Sequence, residues 1–213
     1  MSNFFEEYYR ERGVTILPEQ EIESFEGDGY VTHVNLKSGK QLAADMVVCG
    51  IGVTPNNKLF SNEKLELKDG YILLNSYLET NLPDVFAAGD ITYYRDIVFD
   101  RPLHIEHWDN AVEQGRHVAR AMLGIRNQYE HVPYFFSDIF DLSYEFWGNT
   151  ENATKTHLRG NLEEGSFSNW WLGKDGRVLA AFVMDRPDEE RENAPEWIKN
   201  GEKLPTDWLQ QEI

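Results

Sequence analysis

A glycine and an aspartate close the string Thr80–Asp90, whose residue types and spacing could bind a ligand. The apolar run Val85–Ala88 within it is predicted to be a short buried strand, and Gly89 then allows a tight turn. The Asp90 carboxylate would lie at the carboxyl end of that strand, where open α/β sheets bind ligands, and could accept hydrogen bonds from a polyol or ribose hydroxyl. A lone Gly-Asp pair is more typical of an ordinary turn, but the whole eleven-residue string favours a ligand site.

A second glycine-containing string, Gly50–Asn56, follows the apolar run Asp45–Cys49, which is also predicted to be a short buried strand. It begins like a GxGxxG phosphate loop, but Pro55 occupies the place of the third glycine and no helical pattern follows. Gly52 and its neighbour Gly50 allow close approach of a flat ligand or of a second strand. Taken alone, the string favours a structural crossover.

The third string is His104–Trp108, which leads into a helix predicted over residues 110–123. His104, Glu106 and His107 do not have the spacing of a zinc site on one helix face, so no metal is predicted. The start of the helix offers free backbone N–H groups and the positive end of the helix dipole. Such an end stabilises an anionic or electron-rich ring edge.

The remaining chain must supply the elements that position these strings. Residues 134–184 are predicted to form four or five strands, with a hairpin turn at Gly173–Gly176, and one or two acidic helices are expected around Trp197 and Trp208. The first fifty residues are expected to contain a helix, a strand over Val14–Leu17, an antiparallel meander and a buried strand, an order typical of the second half of a domain.

The composition excludes several classes of protein. The chain has 213 residues, 41% of them hydrophobic, and a net charge of −17, which argues against a disordered tail, a nucleic-acid surface and an anionic membrane surface. The single cysteine, Cys49, excludes an intrachain disulfide framework. No apolar run approaches the roughly 18 residues of a membrane span, and the first residues lack a signal-peptide pattern. We therefore expect a cytoplasmic protein of mixed α and β structure.

Taken in order, these strings resemble the C-terminal half of the FAD-dependent pyridine-nucleotide oxidoreductases, in the branch of apoptosis-inducing factor and the ferredoxin and rubredoxin reductases. The matching residues are Asp45–Asn56, Thr80–Asp90, Glu106–Trp108 with the helix to Gly124, Phe135–Asp138, and Tyr144 with Glu145. The resemblance covers most of residues 1–150. It implies a partial two-dinucleotide-binding-domain α/β fold for FAD and NAD(P), followed by an antiparallel α+β interface domain.

The resemblance also implies three domain segments. Residues 1–52 would be the C-terminal part of an NAD(P)-binding domain, and residues 53–128 the C-terminal segment of an FAD-binding domain. Residues 129–213 would be the C-terminal interface domain.

For the flavin, the resemblance implies that Asp90, after the turn at Gly89, binds the ribityl or pyrophosphate part of FAD. The backbone at His107 and Trp108 would meet the pyrimidine edge of the flavin, where the helix dipole stabilises negative charge.

For the nicotinamide and the flavin face, the resemblance implies four further positions. Gly52 and Glu106 would line the nicotinamide site. Phe136 would be an aromatic lid beside the flavin, with Glu145 as its neighbour, although a tryptophan is common in the family where Phe136 stands. No residue is assigned as a catalytic acid, base or nucleophile.

The implied activity is transfer of electrons from NAD(P)H through FAD to a redox partner or small acceptor, and the acidity of the chain favours a neutral or basic acceptor or a small molecule. Both glycine-rich phosphate loops of the family are absent from residues 1–213, so a missing N-terminal half or a complementary chain is expected as a partner. A homodimer through the C-terminal domain is a further implied partner.

Two other classes of function remain open alternatives. The first is a non-catalytic interaction module that keeps the fold without its phosphate-binding loops. The second is a disulfide reductase of the glutathione-reductase type, which is disfavoured because neither His131 nor His157 stands in a His-Pro…Glu acid/base string. We therefore predict no dithiol substrate.

Overall fold

The computed structural model describes residues 1–60 and 64–210, which divide into two compact units, one ending at Thr54 and one beginning at Pro55. The first unit contains one helix and one antiparallel sheet with strand order β1-β2-β3. Its elements are α1 (Ser2–Glu11), β1 (Ile22–Glu26), β2 (His33–Leu36) and β3 (Gln41–Ala43). Val34 and Leu36 alternate with half-buried neighbours along β2, so one face of this small sheet carries the buried side chains.

The predictions of a strand over Val14–Leu17 and of a buried strand over Asp45–Cys49 are both wrong, because neither segment forms a strand. Residues 45–54 form no strand, and four apolar side chains there are between 78% and 90% exposed: Met46, Val48, Ile51 and Val53. Within the described ranges, no segment pairs with the backbone of Asp45–Cys49. An apolar run becomes a strand only where a neighbouring backbone completes its hydrogen bonds, and that neighbour is not found within the described ranges.

The second unit contains two sheets and three α-helices among its described residues. A four-stranded sheet has the order β4-β5-β6-β7, in which only the β5–β6 pair is parallel, and a five-stranded antiparallel sheet has the order β10-β11-β12-β9-β8. The elements of the smaller sheet and the helix after it are β4 (Leu67–Lys68), β5 (Tyr71–Leu74), β6 (Thr92–Asp96), β7 (Arg101–Leu103) and α2 (Trp108–Met122). A short 3-10 helix, Asn57–Phe60, precedes them.

Helix α2 confirms the predicted helix and begins two residues earlier than the 110 expected. Its buried residues are Asn110, Gln114 and Val118, spaced four apart on one face. Two of the three are polar, which is unusual for a core-facing row and requires hydrogen-bond partners in the interior.

The prediction of a buried strand over Val85–Ala88 is also wrong. The segment makes one isolated antiparallel bridge, between Phe86 and Glu79, and Val85 is exposed. Gly89 and Asp90 therefore follow a largely irregular segment instead of a strand end. A hydrogen bond from the Gly89 N–H to Gln114 on α2 holds this turn in position.

The larger sheet and its helices confirm the predicted strand-rich tail. Its elements are β8 (Tyr134–Ile139), β9 (Leu142–Gly148), β10 (Lys155–Asn161), β11 (Ser166–Leu172), β12 (Val178–Met184), α3 (Asp188–Asn200) and α4 (Thr206–Gln210). Every residue of β12, the central strand, is buried. The Gly173–Gly176 turn joins β11 to β12, and the Gly176 N–H donates to the Gly173 carbonyl at 2.9 Å. In the described part of the chain, no helix is long and apolar enough to cross a membrane.

Candidate functional site

The turn at Gly89 and Asp90 is attached to helix α2 by a buried glutamine. The Gly89 N–H donates to the Gln114 Oε1 at 2.7 Å, and the Thr92 hydroxyl lies 3.1 Å from the same oxygen. Gly89 has a φ of +86°, in the left-handed region that favours glycine, and a Cβ there would contact the Ala111 Cβ at 3.6 Å. The exposed Asp90 is therefore held beside the first turns of α2.

The start of α2 leaves its first backbone donors without a side-chain cap. His107 is the N-cap residue, with φ −110° and ψ 137°, and it makes no side-chain capping hydrogen bond. Its ring meets Phe135 edge-on at 4.9 Å between centroids, and its Nδ1 is buried without a hydrogen-bond partner among the described residues. Burial lowers the pKa of His107, while the charges of Asp109 and Asp90 act in the opposite direction.

An aromatic cavity of about 420 Å³ opens at this helix start. It is lined by Trp108, Asp109, Tyr134, Phe135 and Phe136. Trp108 and Phe136 are mostly exposed although both are large aromatic side chains. Exposed aromatic rings around a concave surface suit a flat, largely apolar ligand.

Glu145 lies opposite Phe136 in the β8–β9 pair, so its side chain is on the same face of the sheet as the wall residues Tyr134 and Phe136. The Tyr134 hydroxyl donates to the Glu145 Oε1 at 2.8 Å, and the Arg191 Nε lies 3.0 Å from the Glu145 Oε2. Burial, together with the hydrogen bond to Glu145, raises the pKa of Tyr134 to about 12. Glu145 thus orients a wall residue through its hydrogen bond.

Glu106 belongs to a polar chain before α2. Its Oε1 lies 3.0 Å from the His104 Nε2 and 3.4 Å from the Tyr71 hydroxyl, while the His104 Nδ1 lies 2.8 Å from the Thr92 carbonyl. The hydrogen bond from His104 is the main cause of a lowered pKa of Glu106. Both His104 nitrogens face oxygen acceptors, so this ring holds the Glu106 carboxylate in one orientation.

Gly52 lies in the first unit, apart from the other predicted site residues in the sequence. It has a φ of +94°, and a Cβ built on it would meet nothing within 4 Å. The second unit, in contrast, brings five predicted residues into one neighbourhood, with Glu145 as the cross-strand partner of Phe136: Gly89, Asp90, His107, Trp108 and Phe136.

Sequence reasoning missed the buried polar residues that organise this neighbourhood. The Gln114 Nε2 is buried without a partner among the described residues, and the Asn110 Oδ1 accepts from the Tyr129 hydroxyl at 3.0 Å. Asp96 is fully buried, which raises its pKa to about 6. The available signal was the i, i+4 spacing of Asn110 and Gln114 on the face that also carries Val118. Within residues 1–60 and 64–210, no three His, Cys, Asp or Glu side chains converge as a metal-binding group.

Comparisons with known proteins agree with this arrangement. A family model described as "Pyridine nucleotide-disulphide oxidoreductase" matches residues 1–115, and one described as "Reductase C-terminal" matches residues 134–212. Monodehydroascorbate reductase of Solanum lycopersicum is 31% identical over 220 residues, covering 98% of this chain and 50% of that protein. Putidaredoxin reductase CamA of Pseudomonas putida is 34% identical over 192 residues, covering 89% of this chain and 45% of that protein.

A solved structure shows the same likeness in three dimensions. The chain matches the crystal structure of the covalent putidaredoxin reductase–putidaredoxin complex with a TM-score of 0.91 and 31% identity, over 99% of this chain and 51% of the other. The chain thus spans about half the length of the curated relatives it matches.

Proposed function

The chain belongs to the pyridine nucleotide-disulphide oxidoreductase family, and from this premise we propose that it forms part of an FAD-dependent NAD(P)H oxidoreductase. The observation that carries the proposal is that the Gly89–Asp90 turn is hydrogen-bonded to α2, whose first residues line an aromatic cavity. The two named relatives are reductases, one of monodehydroascorbate and one of putidaredoxin. We accordingly propose a redox protein or a small molecule as the electron acceptor.

The residues present fit a flavin. A flat ring system suits the cavity between Trp108 and Phe136. Asp90 is exposed, and its charge acts on His107 at the start of α2. The buried, unpartnered His107 Nδ1 and Gln114 Nε2 are polar atoms that a ligand or an ordered water would satisfy. When bound, FAD would supply the chemistry of accepting a hydride from the nicotinamide and releasing electrons to the acceptor.

This chain's own residues would bind, orient and shield the flavin. Asp90 would accept hydrogen bonds from hydroxyls of the ribityl chain or from the pyrophosphate region. The uncapped N–H groups at His107 and Trp108 would donate to the ring edge, where the positive end of α2 favours negative charge. Phe136 would cover one side of the ring and exclude water from it. Gly52 and Glu106 would line the nicotinamide site.

The phosphate groups of both cofactors require further chain. We propose that an N-terminal half or a complementary chain supplies the two glycine-rich loops, because no GxGxxG occurs in residues 1–213. The exposed apolar side chains of residues 46–53 support this proposal, since that segment lacks a backbone hydrogen-bond partner among the described residues. Three further expectations stay predictions. They are a homodimer through the C-terminal domain, the three domain segments and a cytoplasmic location.

The Asp90→Ala variant of the complete protein tests the flavin site. We expect a roughly ten- to hundredfold weaker affinity for FAD, because a charge-assisted hydrogen bond contributes about 1.5–3 kcal/mol. The measurement is the flavin absorbance per chain after purification. Asp28→Ala, an exposed aspartate in the first unit, is the matched control and should keep its flavin. Undiminished absorbance in Asp90→Ala would return Asp90 to the role of an ordinary turn residue.

NAD(P)H-dependent bleaching of the flavin separates the oxidoreductase from an interaction module. We expect bleaching in the complete protein and none in the isolated 213-residue chain, which should purify colourless. A complete protein that binds no flavin would favour the non-catalytic module instead. A yellow, monomeric preparation of residues 1–213 with about one flavin per chain would contradict the need for further chain.

A further inference from the structure

Asp109 and His131 form a short hydrogen bond at the start of α2. The His131 Nε2 lies 2.6 Å from the Asp109 Oδ2, and each side chain is one-quarter exposed. Because an ionised carboxylate only accepts hydrogen bonds, the Nε2 carries the hydrogen and donates it. The contact ties the second residue of α2 to the segment that leads into β8.

The pair lies between two cavities of different character. Asp109 lines the aromatic cavity of about 420 Å³. His131 lines a second cavity of about 510 Å³, whose other lining groups are mostly polar or charged, among them Glu113, His117, Arg120, Gln128 and Glu130. The hydrogen bond therefore joins a wall of the aromatic cavity to a wall of a charged one.

The negative charge of Asp109 acts on groups around both cavities. Burial is the main cause of the raised pKa of Tyr134 and of Tyr129, and the Asp109 charge adds to both. The same charge opposes the burial that lowers the pKa of His107. A carboxylate in the first turn of a helix also weakens the positive potential that the helix end offers to a second anion. A donor held on that carboxylate reduces this weakening.

We infer that His131 is a positioning residue for the aromatic cavity: its Nε2–H holds the Asp109 carboxylate in place and offsets its negative potential at the start of α2. The inference rests on the flavin site proposed above. It adds a residue that reaches the cavity only through Asp109.

Two charge effects of opposite sign follow from this role. Removing the Asp109 carboxylate makes the cavity more favourable for an electron-rich ring, so the flavin becomes easier to reduce. Removing the His131 donor leaves the carboxylate uncompensated, so the flavin becomes harder to reduce. A merely structural tie between α2 and the segment before β8 predicts no such opposition, because both changes break the same tie.

The first experiment uses the 213-residue chain without flavin. Imidazole ¹⁵N and ¹H NMR reports which nitrogen of His131 carries the hydrogen. We expect the Nε2–H form with a low-field proton, and a clear upfield move of that proton in Asp109→Asn. Asp138→Asn, an exposed aspartate on β8, removes the same charge elsewhere and should leave the resonance in place. A His131 ring that carries its hydrogen on Nδ1 alone would overturn the inference.

The second experiment measures the flavin midpoint potential in the flavin-loaded complete protein. We expect Asp109→Asn to shift the potential upward and His131→Leu to shift it downward. Each shift should correspond to a roughly two- to fivefold change in the equilibrium between oxidised and reduced flavin, the effect of one charge at a helix end. His131→Gln, whose amide can still donate, should lie closer to the unaltered protein than His131→Leu does, and Asp138→Asn should not shift the potential.

The outcomes separate this inference from the proposed function. Equal potentials in all variants, or shifts of the same sign in Asp109→Asn and His131→Leu, would overturn the role of His131 while leaving the flavin site intact. A complete protein that binds no flavin in its unaltered form would refute the proposed function, and the electrostatic role of His131 with it.

Discussion

Two strings of similar composition, Asp45–Gly52 and Val85–Asp90, have different surroundings in this structure. Each is an apolar run that ends in a glycine-containing segment. The second is anchored, because Gln114 and Thr92 engage the Gly89 backbone and α2 packs beside it. The first is exposed and has no backbone partner among the described residues. Such a string has a defined place only where a second element contacts its backbone.

We expect the largest effect at Asp96, which lies on β6, the strand that follows the anchored string. Its pKa rises from 3.8 to about 6 because it is buried, so the folded state binds the proton more tightly than the unfolded chain. The stabilising contribution of the bound proton is complete below pH 4 and is lost as the pH rises through 6, a difference of about 3 kcal/mol.

Asp96→Asn isolates this contribution, because asparagine does not ionise. Denaturant unfolding of both proteins from pH 4 to pH 7 should show the variant gaining about 3 kcal/mol relative to the unaltered chain. A constant difference between the two proteins across this range would contradict the burial of an ionisable Asp96.

Loss of the anchor itself is the next largest effect. Gln114→Leu removes the acceptor of the Gly89 N–H and should lower the free energy of unfolding by about 2 kcal/mol, the cost of leaving a partly buried donor unpaired. Gln128→Leu, which removes an exposed amide, is the control and should cost much less. Equal stabilities of the two variants would show that the turn is held without Gln114.

Amide hydrogen exchange compares the two strings directly. We expect the amides of Gly89 and Thr92, which donate to Gln114 and to the Gly89 carbonyl, to exchange at least about tenfold more slowly than those of Val48 and Ile51. Addition of the missing half should slow Val48 and Ile51 and leave Gly89 nearly unchanged. Similar protection of both strings in the 213-residue chain would show that the contact with Gln114 does not make Val85–Asp90 more stable than Asp45–Gly52.

The smallest effect concerns the ion pair next to the anchored string. Arg126 donates to both oxygens of Glu79 at 2.8 and 2.9 Å, and Glu79 bridges to Phe86. Glu79→Gln should cost only about 0.5 kcal/mol in thermal unfolding, since the pair lies near the surface and Gln114 holds the turn. A loss above about 2 kcal/mol would transfer the anchoring role from Gln114 to this ion pair.

Local patterns in the sequence determined much of the architecture. The 3.6-residue periodicity predicted α2. Runs of β-branched and aromatic residues between glycine turns predicted four or five strands over residues 134–184, where the structure has the five strands β8 to β12. The ordered strings also carried the resemblance to the family. These features are local, because periodicity and turn chemistry depend on residues close together in the chain.

Only the tertiary structure decided where the apolar runs lie and which polar groups meet. Asp45–Cys49 and Val85–Ala88 both match the pattern of a buried strand, yet a strand needs a neighbouring backbone, and no local pattern reports whether one is present. The contacts of Gly89 with Gln114 and of Asp109 with His131 join residues 25 and 22 positions apart. Hydrogen bonds between residues far apart in the sequence depend on how helices and sheets pack. Their geometry is therefore a property of the fold.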